Sequence, residues 1–270
     1  MSRRVIWCAL VMLLVLASCR GGNSGGGDGS QANNPASSDN PIYWTRTPDT
    51  IVFRADVVGG QTTDSLTARS EIPNCTVYGD NRVVWINTAA DNTAQILFDV
   101  VTDDVIQRFV TDLTISDQIY TYPAGAQNLP PSTTKPVVET LTVNVSGREH
   151  TTDAFGGWTY TYYENILNRC KALSQSPVLF EPTEAWLSVQ EIPYDTNRPL
   201  RIWDSAASGL DLAAIAQSGE PLWITGDNVR SLWNILQSGG AEVQLAQDVG
   251  NYQIALQIPN VTRDAPAAPN

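Results

Sequence analysis

The sequence predicts an α+β fold in which antiparallel β-hairpins alternate with helices. Residues 53–57 alternate apolar and polar side chains with a period of two, which is typical of a half-buried strand over 51–57. Short β-rich runs meet at turn residues, as at Gly79-Asp80-Asn81. Segments with apolar residues at helical spacing lie between these runs. Because the strands arrive as hairpins, the pattern favours an antiparallel sheet over βαβ winding.

The first part of the chain predicts several strands followed by a helix. The strands are expected at 51–57, 75–78, 82–86 and 95–101. Thr102 can cap the helix, and Asp103 and Asp104 in its first turn suit the positive end of the helix dipole. The apolar residues that follow share one face, which is expected to pack inward.

A proline-rich stretch at 129–136 is the clearest internal linker. After it an alternating run leads to a turn at Ser146-Gly147, and the chain then runs back as a second strand. Thr161 and Glu164 have the spacing of a capping box at the start of a helix. A hairpin followed by a helix therefore occurs twice, which favours two related halves. The predicted halves are 41–128 and 137–263.

The last part of the chain predicts further strands, helices and a tail. The strands are expected at 186–192, 200–203, 241–246 and 252–258. Asp211 begins one helix and Asp227 is expected to cap another, and the two helices end near Gly219 and Gly239. Residues 264–270 include two prolines and are expected to form a disordered tail.

The N-terminus has the features of a signal peptide. A positive segment with Arg3 and Arg4 precedes an apolar run over 5–16. A stable transmembrane helix needs about 20 apolar residues, so this shorter run predicts a signal peptide over 1–18 rather than a membrane span. The paired arginines leave open whether export follows the general or the twin-arginine route.

The end of this segment, Leu16-Ala17-Ser18-Cys19, resembles the lipobox of bacterial lipoproteins. The resemblance implies that Cys19 becomes the first mature residue and takes a diacylglyceryl thioether, usually with a further N-acyl chain. Two or more acyl chains hold a protein stably at a bilayer, so the lipid bilayer is the first predicted partner. The expected location is extracytoplasmic, lipid-anchored to the bacterial cell membrane or envelope. The alternative is an ordinary secretory signal with a chance cysteine.

The segment behind the anchor, 19–40, is rich in glycine, serine and asparagine and is expected to be a disordered linker. It leads into an α+β ectodomain over 41–263. Cleavage after residue 18 removes Arg3 and Arg4, which leaves 14 of the 16 basic residues against 28 acidic ones. Since a surface this acidic repels phosphates, no nucleic acid partner is expected.

Two cysteines are available to form a cross-link. Cys8 leaves with the signal peptide, and Cys19 is committed to lipid. The remaining pair, Cys75 and Cys170, is expected to form a disulfide in an oxidising exterior. The bond would join the first hairpin to the helix behind the second. The alternative is two separate buried thiols.

The only histidine of the chain, His150, is a candidate catalytic base. With Asp153 and a distant serine it could form a catalytic triad. The chain contains no G-x-S-x-G motif, and His150 follows a predicted hairpin turn on a strand. We therefore interpret it as a solvent-facing strand residue.

Other catalytic and metal signals are weak. Ser132-Thr133-Thr134-Lys135 matches the S-x-x-K motif of penicillin-binding proteins, but prolines flank it and its companion motifs do not occur. Glycoside hydrolysis needs two carboxylates about 5–10 Å apart, which spacing in sequence does not establish. The candidates are Glu164, Glu181, Glu184 and Glu191. No metal-binding spacing occurs, and neither a cofactor nor a metal is predicted.

Aromatic residues supply the best candidate for a binding surface. Trp158, which follows two glycines, is grouped in sequence with Tyr160 and Tyr162. Exposed, these rings would form a platform for a sugar or a protein partner, and the alternative is packing in the core. Trp233 lies at helical spacing and is expected in the core.

These features predict a membrane-anchored extracytoplasmic lipoprotein with a non-catalytic binding or structural ectodomain. The expected partner, besides lipid, is an envelope protein or a glycan. The alternative is a cell-envelope hydrolase that uses acidic residues or His150. In general character the ectodomain resembles lipoproteins of unknown function.

Overall fold

The computed structural model describes residues 42–60, 65–89, 94–126, 136–240 and 242–269. The predicted signal peptide, Cys19, the linker at 19–40 and the S-x-x-K motif at 132–135 lie outside the described residues. Within the described ranges, every helix is too short or too polar to cross a membrane.

Strands and helices are interspersed along the described chain. The strands are β1 (Ile51–Val58), β2 (Cys75–Tyr78), β3 (Arg82–Thr88), β4 (Ala94–Val100), β5 (Val138–Val145), β6 (Arg148–Asp153), β7 (Val178–Leu179), β8 (Glu184–Glu191), β9 (Leu200–Ile202), β10 (Leu222–Thr225), β11 (Gln244–Gln247) and β12 (Gly250–Gln257). The α-helices are α1 (Asp103–Thr111), α2 (Tyr162–Lys171), α3 (Ser205–Ser208), α4 (Leu212–Ser218) and α5 (Asp227–Gly239). The predicted α+β class, with antiparallel hairpins and interspersed helices, is confirmed.

The strands form two sheets. The first sheet has seven strands in the order β6-β5-β1-β2-β3-β4-β7, and all neighbours are antiparallel. Ala55 of β1 pairs with Cys75 on one side and with Leu141 on the other. The second sheet has five strands in the order β10-β8-β12-β11-β9, of which β9 and β11 run parallel.

One face of the first sheet packs against helices α1 and α2 to form the first core. Phe53 of β1 meets Phe109 of α1 edge to face, with ring centroids 4.9 Å apart. Ile166 of α2 is buried in the same cluster. The apolar faces expected from helical spacing therefore point to the sheet, where burial of apolar surface stabilises the fold.

A disulfide joins Cys75, the first residue of β2, to Cys170 of α2, as predicted. Both cysteines are fully buried. Their Cα atoms are 6.4 Å apart, which lies within the span of a disulfide. The bond connects positions separated by 95 residues and fastens α2 to the first sheet.

The second core lies between the opposite face of β2–β4, the second sheet and helices α4 and α5. The first sheet contributes Tyr78, Val84 and Ile96, and α5 contributes Leu232 and Trp233. The first sheet is therefore covered on both faces along its β2–β4 strands.

A buried ion pair ties the C-terminal segment to the first sheet. The Arg263 guanidinium donates to both carboxylate oxygens of Asp56, with Nε–Oδ2 2.6 Å and Nη2–Oδ1 2.8 Å. It also contacts the Glu71 carboxylate and donates to the Val57 carbonyl at 3.0 Å. Asp56 is buried in β1. The hydrogen bonds to Asp56 raise the pKa of the Arg263 guanidinium further above its ordinary value.

The chain beyond β12 is described as far as residue 269. Val261 and Thr262 are buried. Within the stretch expected to be a tail, the Ala267 carbonyl accepts a hydrogen bond from the Trp186 indole at 3.0 Å. This segment therefore lies against the second sheet.

Candidate functional site

The predicted aromatic platform divides into a packed pair and an exposed ring. Trp158 and Tyr162 lie together, with ring centroids 5.6 Å apart. The Trp158 indole donates to the Thr152 hydroxyl, and the Tyr162 hydroxyl donates to the Asp117 carbonyl, each at 2.9 Å. Burial raises the pKa of Tyr162. Tyr160 is fully exposed and has no ring contact with either residue among the described contacts.

The polar atoms of Trp158 and Tyr162 are therefore engaged inside the protein, and both rings pack on the first core. These internal contacts hold both rings in place. Ligand binding by the three predicted platform residues stays a prediction.

His150 is half-buried, so its interpretation as a solvent-facing residue is wrong. Its Nε2 lies 3.1 Å from the Ile119 carbonyl and 2.9 Å from the Tyr122 carbonyl. Since carbonyl oxygens only accept, Nε2 carries the proton and donates to both. The ring also contacts Tyr120, at a centroid distance of 5.2 Å. His150 thus fastens the segment behind α1 to β6.

The geometry of a catalytic triad is not formed around His150 within the described chain. The Asp153 carboxylate instead accepts from the backbone amides of Ala126 and Phe155, each at 2.9 Å. No serine hydroxyl bonds to His150 among the described residues. As placed, His150 is a structural residue.

The four candidate glutamates are only partly brought together. Glu181 and Glu184 line one cavity of about 400 Å³ with Asp49, whereas Glu164 lies on α2 and Glu191 ends β8. A hydrogen bond from Thr47 lowers the pKa of Asp49. A general acid requires the opposite shift, a raised pKa. For metals, the described part of the chain holds no cluster of three or more suitable His, Cys, Asp or Glu side chains.

A second cavity, which we call the α5 cleft, lies between helix α5 and the edge of the first sheet at β4 and β7. Its volume is about 510 Å³, within the range of about 300–1,000 Å³ that is usual for ligand pockets. Ile96, Leu179, Phe180 and Trp233 supply its apolar wall. The cleft is thus large enough for a small molecule or a segment of a polymer.

Phe180 is the best-fixed ring of this wall. Its backbone amide donates to the Ile96 carbonyl at 2.8 Å, which continues the pairing of β7 with β4. Its ring meets Phe98 edge to face at 5.9 Å and Trp233 edge to face at 6.1 Å. Held from two sides, this half-buried ring cannot easily turn away from the cleft.

Besides Ser238, four polar side chains surround the apolar wall: Gln95, Glu181, Asn234 and Gln237. Asn234 and Gln237 are three residues apart on α5 and therefore share a face. None of the four side chains makes a hydrogen bond to another described residue. Gln95 and Gln237 are half-buried, so their amide groups have limited access to water. Among the described residues, nothing occupies these four side chains, so each can bond a ligand.

Most of the α5 cleft was missed in the sequence. Trp233 is buried as expected, with 7% exposure, yet one part of it also faces the cleft. Asn234 and Gln237 could have been found as a polar pair beside the apolar face of a predicted helix. Gln95, Phe180 and Glu181 carry no spacing signal, because only the tertiary fold brings them to α5.

The fold and the cleft define an α+β protein with a candidate small-ligand or polymer site beside helix α5. Neither a family model, nor a curated protein, nor a solved structure matches the chain. Function therefore has to be inferred from the chain's own residues.

Proposed function

We propose that this chain is a lipid-anchored extracytoplasmic binding protein that holds a ligand in the α5 cleft without transforming it. The observation that carries the proposal is the α5 cleft itself. It combines a fixed aromatic ring, Phe180, with four polar side chains that have no described hydrogen-bond partner. Ligand sites are commonly apolar concavities with a few convergent polar groups.

The anchor and the cross-link support the same compartment. Leu16-Ala17-Ser18-Cys19 provides the lipidation signal. Disulfides persist in oxidising compartments outside the cytoplasm, and Cys75 and Cys170 form one in the first core. Both features are expected of a lipoprotein ectodomain.

The chemistry of the α5 cleft supports binding rather than catalysis. Glu181 is the one carboxylate among the described residues that line it. Acid–base hydrolysis of a glycoside needs two carboxyl groups. The Ser238 hydroxyl, also on the lining, donates to the Ile235 carbonyl at 3.2 Å rather than to a base. The hydrolase alternative would have to use Glu181 with Glu184 in the neighbouring cavity.

The Cys19→Ala variant is expected to lose the lipid anchor, because the thioether forms on the cysteine sulfur. Fatty-acid labelling and partition into detergent should both disappear. The matched control is Cys8→Ala, which changes a cysteine that leaves with the signal peptide. A Cys19→Ala protein that is still labelled and membrane-bound would show that the lipobox interpretation is wrong.

The cleft variants Asn234→Ala and Gln237→Ala are expected to weaken ligand binding. Each removes one hydrogen-bonding group, and a hydrogen bond contributes about 0.5–1.5 kcal/mol, which corresponds to about 2- to 12-fold in Kd. Ligands can be found by thermal shift of the full chain in detergent against a panel of saccharides, amino acids and short peptides, and Kd then follows by titration.

The control for these variants is Gln107→Ala. Gln107 is also a half-buried helical glutamine, but it lies on α1, outside the cleft. Equal Kd values for the parent, the control and both cleft variants would remove the α5 cleft as the binding site. Release of a cleaved product would instead favour the hydrolase alternative.

A further inference from the structure

We infer that the α5 cleft and the neighbouring cavity form one groove for a linear, uncharged oligosaccharide. The inference rests on the proposed function, since the α5 cleft supplies one end of the groove. The neighbouring cavity, which we call the proline cavity, has a volume of about 400 Å³. Phe180 and Glu181 line both cavities, so the two adjoin at these residues.

Three prolines contribute to the walls of the proline cavity. Pro48, Pro182 and Pro259 come from three separate segments and all line it. Proline fixes its own φ angle and has no backbone N–H, so these three residues offer a fixed shape rather than backbone donors. A groove with such walls suits an extended chain that enters from the α5 cleft.

The charges of the groove exclude an anionic ligand. Arg82 is the one basic residue among the described residues that line either cavity, and its guanidinium is already engaged. It donates to Asp80 Oδ2 at 2.7 Å and to the Pro48 carbonyl at 2.7 Å. Asp49, Glu181 and Glu184 line the groove without a described basic partner, although Asp49 already accepts a hydrogen bond from Thr47.

The polar groups of the groove match sugar hydroxyls. The carboxylates only accept hydrogen bonds, and the amides of Gln95, Asn234 and Gln237 both donate and accept. A sugar hydroxyl group can donate a hydrogen bond to the carboxylates, and it can both donate to and accept from the amides. Neutral hydroxyl groups satisfy these partners without a charge of their own.

Phe180 supplies the complementary apolar surface at the junction of the cavities. Sugar rings present apolar C–H faces as well as hydroxyl edges. A fixed aromatic ring can therefore pack against the C–H face while the surrounding polar side chains hydrogen-bond to the hydroxyl groups. A peptide would instead need pockets for alternate side chains along the groove. The fixed Phe180 ring with a hydroxyl-matching rim therefore favours a glycan.

The test uses the full chain in detergent and calorimetric titration with linear oligosaccharides of one to six units. The probes are β-1,4-linked N-acetylglucosamine and glucose oligomers and β-1,4-linked mannose and galactose oligomers. Because a longer chain reaches both cavities, at least one series should gain about tenfold in affinity between the dimer and the hexamer, which corresponds to about 1.4 kcal/mol. Oligomers of galacturonic acid, which are anionic, should not bind.

Two variants locate the ligand. Gln237→Ala, in the α5 cleft, should weaken short and long oligomers alike. Asn260→Gly, in the proline cavity, should weaken only the long ones. Asn260 has a φ of 58°, in the left-handed region that glycine adopts without strain, so this change removes the side chain and keeps the backbone. Gln107→Ala serves as the control for both.

Each outcome is decisive. The continuous groove is wrong if short oligomers bind in the α5 cleft and longer ones bind no more tightly. It is also wrong if Asn260→Gly leaves the affinity for long oligomers unchanged. Either result leaves the proposed function in place. A peptide ligand with no bound saccharide overturns the glycan and also leaves the proposed function. If saccharides bind and none of the variants changes their affinity, both the proposed function and the oligosaccharide groove are wrong. If no saccharide series binds, the oligosaccharide groove alone is wrong.

Discussion

The Arg263→Met variant is expected to lower the free energy of unfolding by about 3–5 kcal/mol. Arg263 neutralises Asp56, which is buried in β1 with 4% exposure. Methionine keeps much of the length of the side chain but leaves the Asp56 carboxylate buried without its cation. Urea denaturation followed by tryptophan fluorescence measures the change.

Two further variants distinguish the effect of losing the ion pair from the effect of losing the packing of the arginine side chain. Arg201→Met changes an exposed arginine of β9 and should stay within about 0.5 kcal/mol of the parent. A double variant, Asp56→Asn with Arg263→Met, should be more stable than Arg263→Met alone, because no buried charge remains. If Arg263→Met unfolds at the urea concentration of the parent, the ion pair does not stabilise the fold.

Loss of the disulfide is expected to be comparably costly. The double variant Cys75→Ala with Cys170→Ala removes a cross-link between positions separated by 95 residues. For a loop of this size, chain-entropy models give roughly 4–5 kcal/mol, with native strain subtracting from this upper figure. The measurement is again urea denaturation, at equal protein concentration and without reductant.

The reducing agent itself provides the control for the disulfide. It should destabilise the parent toward the value of the double variant and leave the double variant unchanged. Thiol counting on the unfolded, unreduced parent should find Cys75 and Cys170 oxidised. Two free thiols at these positions, or equal unfolding midpoints for parent and variant, would contradict the expectation.

Local patterns predicted much of the secondary structure. The strand over 75–78 is found at the expected bounds as β2. The turn at Ser146-Gly147 joins β5 to β6, with φ angles of 54° and 71° at these two residues, as a tight hairpin requires. Asp211 caps α4 by accepting from the amides of Ala213 and Ala214. At these positions the hydrophobic repeat and the turn residues in the sequence were enough to predict the local structure.

Elements that tertiary contacts create were missed or misjudged. β7 has only two residues and exists through its pairing with β4, as between Leu179 and Leu97. Thr161 precedes α2 as expected, but its hydroxyl accepts from the Asn165 side chain at 3.3 Å rather than from the backbone, so the predicted capping box is wrong. The prediction that Asp227 caps α5 is wrong, because Gly226 is the cap and Asp227 is the first residue of the helix.

The α5 cleft was beyond sequence reasoning for a similar reason. Gln95, Phe180 and Gln237 come from a strand, an edge connection and a helix. Their spacing in sequence follows no pattern, because each residue reaches the cleft through a separate tertiary contact. By contrast, Cys75 and Cys170 could be paired by elimination, because the predicted cleavage and lipidation left only these two cysteines.

The Asp56–Arg263 pair also sets an order of events during synthesis. The two residues are 207 positions apart, and a growing chain emerges from its N-terminal end. The first strand therefore waits for residue 263 before its buried carboxylate has a cation, and Leu256 must also emerge before it can donate to Ser70, 186 positions earlier. Closures over such distances are slow. If export follows the general route, a chain that remains open for this long can still be threaded through the narrow translocation pore.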